Sequence, residues 1–494
     1  MASGKSYTRR AVKGFAAVFI INIIAAFLGY LMRIVLARNL TLAEYGLFFS
    51  VFAFINFIAI FNNLGLGEAL VKYIPDFLVK KNPGEIKNSM VIVASTYLLT
   101  SLVIAVLLVV FSGTLSKHYF KTPVALPLLL LFILIMFFSN LRELLRCSYQ
   151  AFQKMTVYAG IYLAENALIL ILLACFFVFS KSILTAAYSY IISYVIILII
   201  FSLLFLKTFN FFKHKFTFKK ELAKTLFKFG LPVTLLGVGS IVILYTDTLV
   251  LTYFRSLEEV GIYNVVVPTA MLLMFFTNSI GSVLFPMVSE LSAKKDEKKI
   301  KQGLEILEKY SFAILLPLVT MMFLFSGIIL NLLFGAAYAS GTTAMQVLLV
   351  GILFMGMFSL SSMVFAGIGK PMISTKILLL GAAINLILNF FLIPRWGMLG
   401  AAFNSLIAYF FVFIVSVFKL RKLIKVKMPW LNWFKTIFAA GIMMLIIYSL
   451  KKIMTTHPYI EAVLSCIIAG LVYIGIILLM RVVKLKEVKA IIRP

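Results

Sequence analysis

Among the ionisable residues inside the long apolar runs of this 494-residue chain are Arg33, Glu165 and Asp247. A charge at the centre of a bilayer costs about 2.5–3.5 kcal/mol unless it meets a partner or water, so each is a candidate for function. On a helix, Asn22, Ala26, Gly29, Arg33 and Ala37 share one small, polar face. That face lets a ligand approach, and the guanidinium fork matches the oxygens of a phosphate or carboxylate. Arg33, with Asn22, is therefore expected to bind an anionic group; the competing reading is an arginine that snorkels to the interface. Asp247 carries the opposite charge, with Ser240 seven residues earlier on its face. It is expected to pair with Arg33 in a closed state that substrate or a coupling cation breaks, or else to hydrogen-bond for packing within its own half. Glu165, with Tyr162 and Tyr158 three and seven residues back, is a candidate proton or cation site. Arg142 and Arg146, one turn apart, are expected at the inner mouth of a substrate cavity, although a basic excess on the cytoplasmic side explains them as well. Asn63 and Asn278 occupy matching places in their runs and suit hydrogen bonds between helices or ligand contact.

Other chemistries find little to work with. His118, His214 and His457 are scattered over separate loops, which argues against a zinc site or a histidine catalytic pair. Cys147, Cys175 and Cys466 have no paired spacing and read as small apolar fillers. Gly4-Lys5-Ser6 imitates the end of a phosphate-binding loop without the strand that would carry it. The first apolar stretch runs too long for a secretory signal and reaches Arg33 without a small-residue cleavage pattern, so it reads as a membrane span.

The elements that must position these residues follow from composition. Mean hydropathy is +1.09 and only 13% of residues are charged, too little polar surface to clothe a soluble globule. The expected fold is an all-α polytopic membrane protein with about 14 transmembrane helices, each of about 20 residues or more. Basic residues collect in alternate loops, as they do on the cytoplasmic side of membranes, which predicts that both termini are cytoplasmic in the cell membrane. The same bias explains the net charge of +29. Anionic membrane lipids, and no nucleic acid, are therefore the expected partners.

The chain also repeats itself. At an offset of 215, Tyr30 meets Tyr245, Glu44 meets Glu259, Gly46 meets Gly261 and Asn63 meets Asn278; at 216, Lys154 meets Lys370 and Ser189 meets Ser405. Copies separated by six crossings share one orientation, as in parallel-repeat transporters, with a substrate cavity expected between them. The predicted organisation is an N-terminal six-helix bundle over 1–210, a basic amphipathic cytoplasmic linker over 211–228, a C-terminal six-helix bundle over 229–425, and two extra helices with a cytoplasmic tail over 426–494. Glu44 and Glu259, in short outer loops, read as helix-start residues.

Particular stretches resemble a known superfamily. Arg38-Asn-Leu-Thr-Leu-Ala-Glu-Tyr-Gly46, Leu64-Gly-Leu-Gly67, Gly369-Lys-Pro371 and Asn385-Leu-Ile-Leu-Asn389 followed by Pro394, Gly397 and Gly400-Ala-Ala402 are similar to the pattern of polysaccharide-exporting flippases of the multidrug, oligosaccharidyl-lipid and polysaccharide exporter superfamily. Thr41 departs from it, standing where that family often has glycine. The resemblance implies a transporter, not an enzyme, that flips a polyprenyl-pyrophosphate-linked oligosaccharide to the outer leaflet by alternating access, for cell-surface polysaccharide biosynthesis. It further implies a monomeric transport unit, glycosyltransferases and a polymerase of the same pathway as partners, and no cofactor beyond a coupling ion, Na+ or H+. A lipid II-type flippase and a cation-coupled multidrug exporter are the alternatives within the superfamily, though the first span lacks the carboxylate expected of the latter. A membrane glycosyltransferase or polymerase is the alternative of another class, and the short, acid-poor outer loops weigh against it.

Overall fold

The computed structural model describes residues 2–453 and 458–483; the carboxyl tail and His457 lie outside them. Among the described residues, the regular structure is helical, and 13 helices are long and apolar enough to cross a membrane. The protein is thus all-α and polytopic. Two compact units divide after Gly261.

The first unit, Met1–Gly261, contains α1 (Ala2–Asn39), α2 (Leu42–Ala59), α3 (Leu66–Val79), α4 (Pro83–Thr114), α5 (Ala125–Ala151), α6 (Met155–Phe179), α7 (Ile183–Leu206), α8 (Lys220–Phe254) and the first turn of α9 (Leu257–Met271). Local chemistry sets the helix starts. The Thr41 hydroxyl accepts from the Glu44 N–H at 3.2 Å, and the Glu44 carboxylate accepts from the Thr41 N–H at 3.0 Å, a complete capping box. The equivalent step 215 residues on uses Ser256, whose hydroxyl accepts from the Glu259 N–H at 3.4 Å. Glu44 and Glu259 are helix-start residues, as their spacing predicts. Gly46 is required there: a Cβ on it would lie 1.8 Å from the Leu257 carbonyl oxygen.

The apolar run over 46–71, which reads as one span, is broken instead. Leu64 and Gly65 take φ of 47° and 64°, and the Asn63 side chain accepts from the Gly65 N–H at 3.2 Å, an Asx turn that separates α2 from α3. Hydropathy averaged over a span does not register such a break, because Asn62 and Asn63 are outweighed by the apolar residues on both sides. The linker over 211–228 is in part helical. Only Phe211–Lys213 forms a short 3₁₀ turn, residues 214–219 lack helix, and α8 begins at Lys220. The strap is tied down at residue level: Lys87 donates to the His214 carbonyl, the Thr217 N–H donates to Asn88 at 2.9 Å, and Lys219 pairs with Glu85. Phe212 and Phe218 along it stay exposed.

The second unit, Ile262–Pro494, holds the rest of α9, then α10 (Met274–Ala293), α11 (Glu297–Leu324), α12 (Ser326–Phe334), α13 (Thr342–Gly367), α14 (Pro371–Ile424), α15 (Trp430–Ile453) and α16 (Pro458–Leu479). The 54-residue α14 is two helical legs joined at Gly397, whose φ of 56° and ψ of −134° glycine reaches without a Cβ clash. Gly400 packs so closely that a Cβ on it would lie 2.4 Å from the Leu392 carbonyl oxygen. Fully buried amides clasp the hairpin: Asn404 donates to the Asn385 carbonyl and to Asn389 Oδ1, both at 2.7 Å. In a straight helix Asn389 and Asn404 would stand about 22 Å apart at 1.5 Å per residue. The last two helices are held to α11 by Trp433, which donates to the Glu308 carbonyl at 3.3 Å, and by Tyr473, which donates to the Ala313 carbonyl at 2.7 Å.

Candidate functional site

The first unit concentrates charge inside its helices. α5 and α6 lie side by side, and the Arg142 guanidinium on α5 donates to the Glu165 carboxylate on α6. Its second nitrogen lies 3.5 Å from Glu143, whose carboxylate also accepts from Arg146 at 2.9 Å. Aromatic faces roof the cations. Arg142 sits 5.4 Å from the Tyr194 ring centre, and Arg146 sits 4.6 Å from that of Tyr158 and 5.7 Å from that of Tyr162. Each such contact contributes about 0.5–2 kcal/mol, more where water is excluded. The arginine side chains are 13% and 17% exposed, yet the Nε–H of each has no acceptor. Two desolvated guanidinium donors are thereby left for an incoming oxygen.

Arg33 belongs to the same interior. Its guanidinium lies 4.3 Å from the Phe49 ring centre on α2, within electrostatic reach of the hydroxyls of Tyr45 on α2, Tyr190 on α7 and Tyr245 on α8. Tyr190 also senses the Glu165 charge, and its ring is 6.4 Å from that of Tyr194. A polar track therefore runs through the unit from Arg33, past Tyr190 and Tyr194, to Glu165, Arg142, Glu143 and Arg146. The local packing of α1 follows from small residues: Asn166 on α6 donates to the Ala25 carbonyl at 3.1 Å, and Gly29 faces the same amide.

The remaining residues singled out by sequence fall as follows. Asp247 is buried on α8 between Thr246 and Thr248, also buried, whereas Ser240 is exposed. Asn22 is exposed on α1. Asn63 makes the Asx turn already described. The interhelical network falls one residue earlier, where Ser101 donates to Asn62 at 3.1 Å and Asn140 donates to Ser101 at 2.9 Å. Asn278 is exposed, and its neighbour Thr277, the 215-residue counterpart of Asn62, is the buried polar residue. Glu165 and Arg142, read separately from the sequence, meet as one ion pair. Sequence reasoning missed Glu143 as the carboxylate shared by two arginines; its position between Arg142 and Arg146 was the available signal. It also missed Glu308, buried three turns into α11. Among the described residues, no group of three or more His, Cys, Asp or Glu is placed to hold a metal.

Comparison with known proteins adds lineage to this geometry. Residues 11–292 match the family described as "Polysaccharide biosynthesis protein", and residues 232–391 match the MatE family. An uncharacterized membrane protein of Methanocaldococcus jannaschii is 32% identical over 99% of both chains. The probable low-salt glycan biosynthesis flippase Agl15 of Haloferax volcanii is 22% identical over 55% of this chain and 57% of its own. Among solved structures, the lipid II flippase MurJ in an inward closed conformation superposes with a TM-score of 0.78 at 17% identity, covering 95% of this chain and 99% of its own.

Proposed function

The chain belongs to the polysaccharide biosynthesis protein family of flippase-type membrane transporters, and from that membership we infer that it moves a polyprenyl-pyrophosphate-linked oligosaccharide across the bilayer by alternating access. The observation that carries this reading is the pair of buried guanidinium groups, Arg142 and Arg146, each with an Nε–H that no protein atom accepts. A pyrophosphate offers several anionic oxygens at the spacing a guanidinium fork prefers. Arg33 supplies a further cation on the same track, and Tyr158, Tyr162, Tyr190 and Tyr194 offer ring faces and hydroxyls to a sugar chain. Glu143 and Glu165 neutralise the arginines while no anion is bound and give way to one, so the site is not a standing excess of buried positive charge. Buried Asp247, on the same helix as Tyr245, is the partner we assign to Arg33 in the closed state. Asn22, exposed on α1, and Ser240, exposed on α8, contribute at the mouths of the track.

The cycle runs in the cytoplasmic membrane with both termini cytoplasmic, as a monomeric transport unit, and is driven by a coupling ion, Na+ or H+. The protein makes no bond in its cargo. Glycosyltransferases supply the cargo and a polymerase consumes it. The lipid II reading has the likeness to MurJ in its favour and uses the same guanidinium chemistry. Translocation between leaflets of vesicles containing only this protein separates the readings. The protein is given defined polyprenyl-pyrophosphate oligosaccharides in one arm and lipid II in another, each with and without an ion gradient. Transfer of the oligosaccharide with loss in Arg142→Gln supports the proposal; transfer of lipid II alone, or new sugar linkages without added transferases, overturns it.

A further inference from the structure

Glu308 belongs to the second unit, and nothing in the transport reading uses it. The α11 sequence builds two adjoining faces. Ile300, Leu304, Glu308, Phe312 and Leu315 recur at helical spacing, and all are buried. Gln302, Glu305, Ile306 and Lys309 instead line a cavity of about 440 Å³ with Lys427 from the segment between α14 and α15 and Asn432 from the first turn of α15. Glu308 thus sits on the apolar face, one step around the helix from a polar cavity.

The residue is 1% exposed. Oε1 is 3.5 Å from the Ser361 hydroxyl on α13, and Oε2 has no partner. Trp433 on α15, in ring contact with Phe312 and Phe413, closes the surroundings through its bond to the Glu308 carbonyl. Among the described residues no counter-charge is paired with it. Neither α12 nor α13 carries an ionisable residue. On α10, Glu290 is exposed and pairs with Lys294. On α15, Lys435 donates to the Met480 carbonyl and Lys451 to that of Leu324; on α16, Tyr473 donates to that of Ala313. Lys309 turns to the cavity and the Tyr310 ring. Glu305 accepts from the Lys427 N–H. Among the described residues no basic group on α14 or any other element forms a salt bridge with Glu308.

The hydroxyl of Ser361 supplies a second argument. It lies within hydrogen-bond distance of both Glu308 and the Met357 carbonyl, at 3.2 Å, but has one hydrogen to give. A hydrogen on Glu308 resolves the competition: the carboxylic acid donates to the Ser361 oxygen, and Ser361 donates to Met357. We propose that Glu308 is a proton-binding site of the second unit, a neutral carboxylic acid that fastens α11 to α13 and releases its proton when water from the neighbouring cavity reaches it. Ionised, the group has no counter-charge and must be hydrated, which favours separation of the two helices.

Infrared spectroscopy of the full chain in lipid nanodiscs, in Na+-free buffer, tests this without any substrate. At neutral pH the protein should show a protonated-carboxyl C=O band that is absent in Glu308→Gln and retained in Glu305→Gln. Alkaline pH should remove the band and, relative to Glu308→Gln at the same pH, accelerate hydrogen exchange in α13. Should Glu308→Gln fold poorly, Ser361→Ala reads the same group, because losing its acceptor must shift the band to higher frequency. A neutral-pH spectrum without a Glu308-dependent band, or a band abolished by Na+ at constant pH, overturns the proposal.

Discussion

The Arg142 guanidinium on α5 donates to the Glu165 carboxylate on α6, with side-chain exposures of only 13% and 6%. Removing one partner leaves the other charge buried without compensation, which costs about 3–5 kcal/mol, whereas replacing both with apolar residues of similar volume is often neutral. Arg142→Ala and Glu165→Ala should each lower the thermal unfolding temperature markedly. The Arg142→Met, Glu165→Leu double variant should recover most of that loss while failing to transport. Unfolding in detergent and vesicle translocation, measured on the same preparations, check both halves. A double variant that transports normally would show the pair to be structural only.

Arg33 offers a different discrimination. Its contact with Phe49 exploits a flat, delocalised cation, and Tyr45, Tyr190 and Tyr245 lie within its electrostatic reach. Lysine keeps the charge but loses the fork, so Arg33→Lys should retain the fold and lose about tenfold in transport, equivalent to about 1.4 kcal/mol. Arg33→Gln should lose more. For the assigned Asp247 partnership, Arg33→Asp and Asp247→Arg should each abolish transport, and their combination should regain part of it. No recovery in the combination removes the pairing while leaving the aromatic cage intact.

The class of this fold was legible because 63% apolar composition leaves only membrane solutions open. The residues of the track were legible one at a time, as charges in apolar runs. Their association was not, since Arg142 and Glu165 are 23 residues apart on different helices and helical periodicity does not say which helices adjoin. Breaks were hidden for another reason. The positive φ of Leu64 and Gly65 interrupts an apolar run without changing its hydropathy, and Gly397 joins two legs in the same way. Glu308 was readable from the spacing of Ile300, Leu304, Phe312 and Leu315. The basic run of Lys298, Lys299 and Lys301 in the same stretch masked that spacing.

The α14 hairpin yields a paired test of glycine and amide. Ala at Gly400 places a Cβ 2.4 Å from the Leu392 carbonyl oxygen, so the turn must open. Leu at Asn404 strips the partners from the Asn385 carbonyl and from Asn389, a cost of about 1–3 kcal/mol for each buried group left unpaired. Both changes should depress the unfolding temperature. Gly441→Ala, in α15 with open space around its Cβ, should be neutral or stabilising by up to about 1 kcal/mol from helix propensity. Equal effects at Gly400 and Gly441 would remove close packing as the reason for glycine in the turn.

A pH dependence follows at the start of α11. Asp296 caps the helix: its Oδ1 accepts from the Lys299 N–H at 3.1 Å, and its Oδ2 lies 3.0 Å from the Lys299 ammonium. These two bonds, the backbone one first, hold the carboxyl below its ordinary value. A carboxylate depressed in the folded state stabilises fully above its unfolded value and loses that contribution as pH falls through the folded one. The amides of the first turn of α11 should therefore exchange more slowly in the wild type than in Asp296→Ala at neutral pH. The ratio between the two proteins, measured at each pH so that intrinsic exchange rates cancel, should approach one as the solution is acidified. A ratio that stays constant down to the acid limit would mean that the capping carboxylate remains ionised throughout or contributes nothing to the turn.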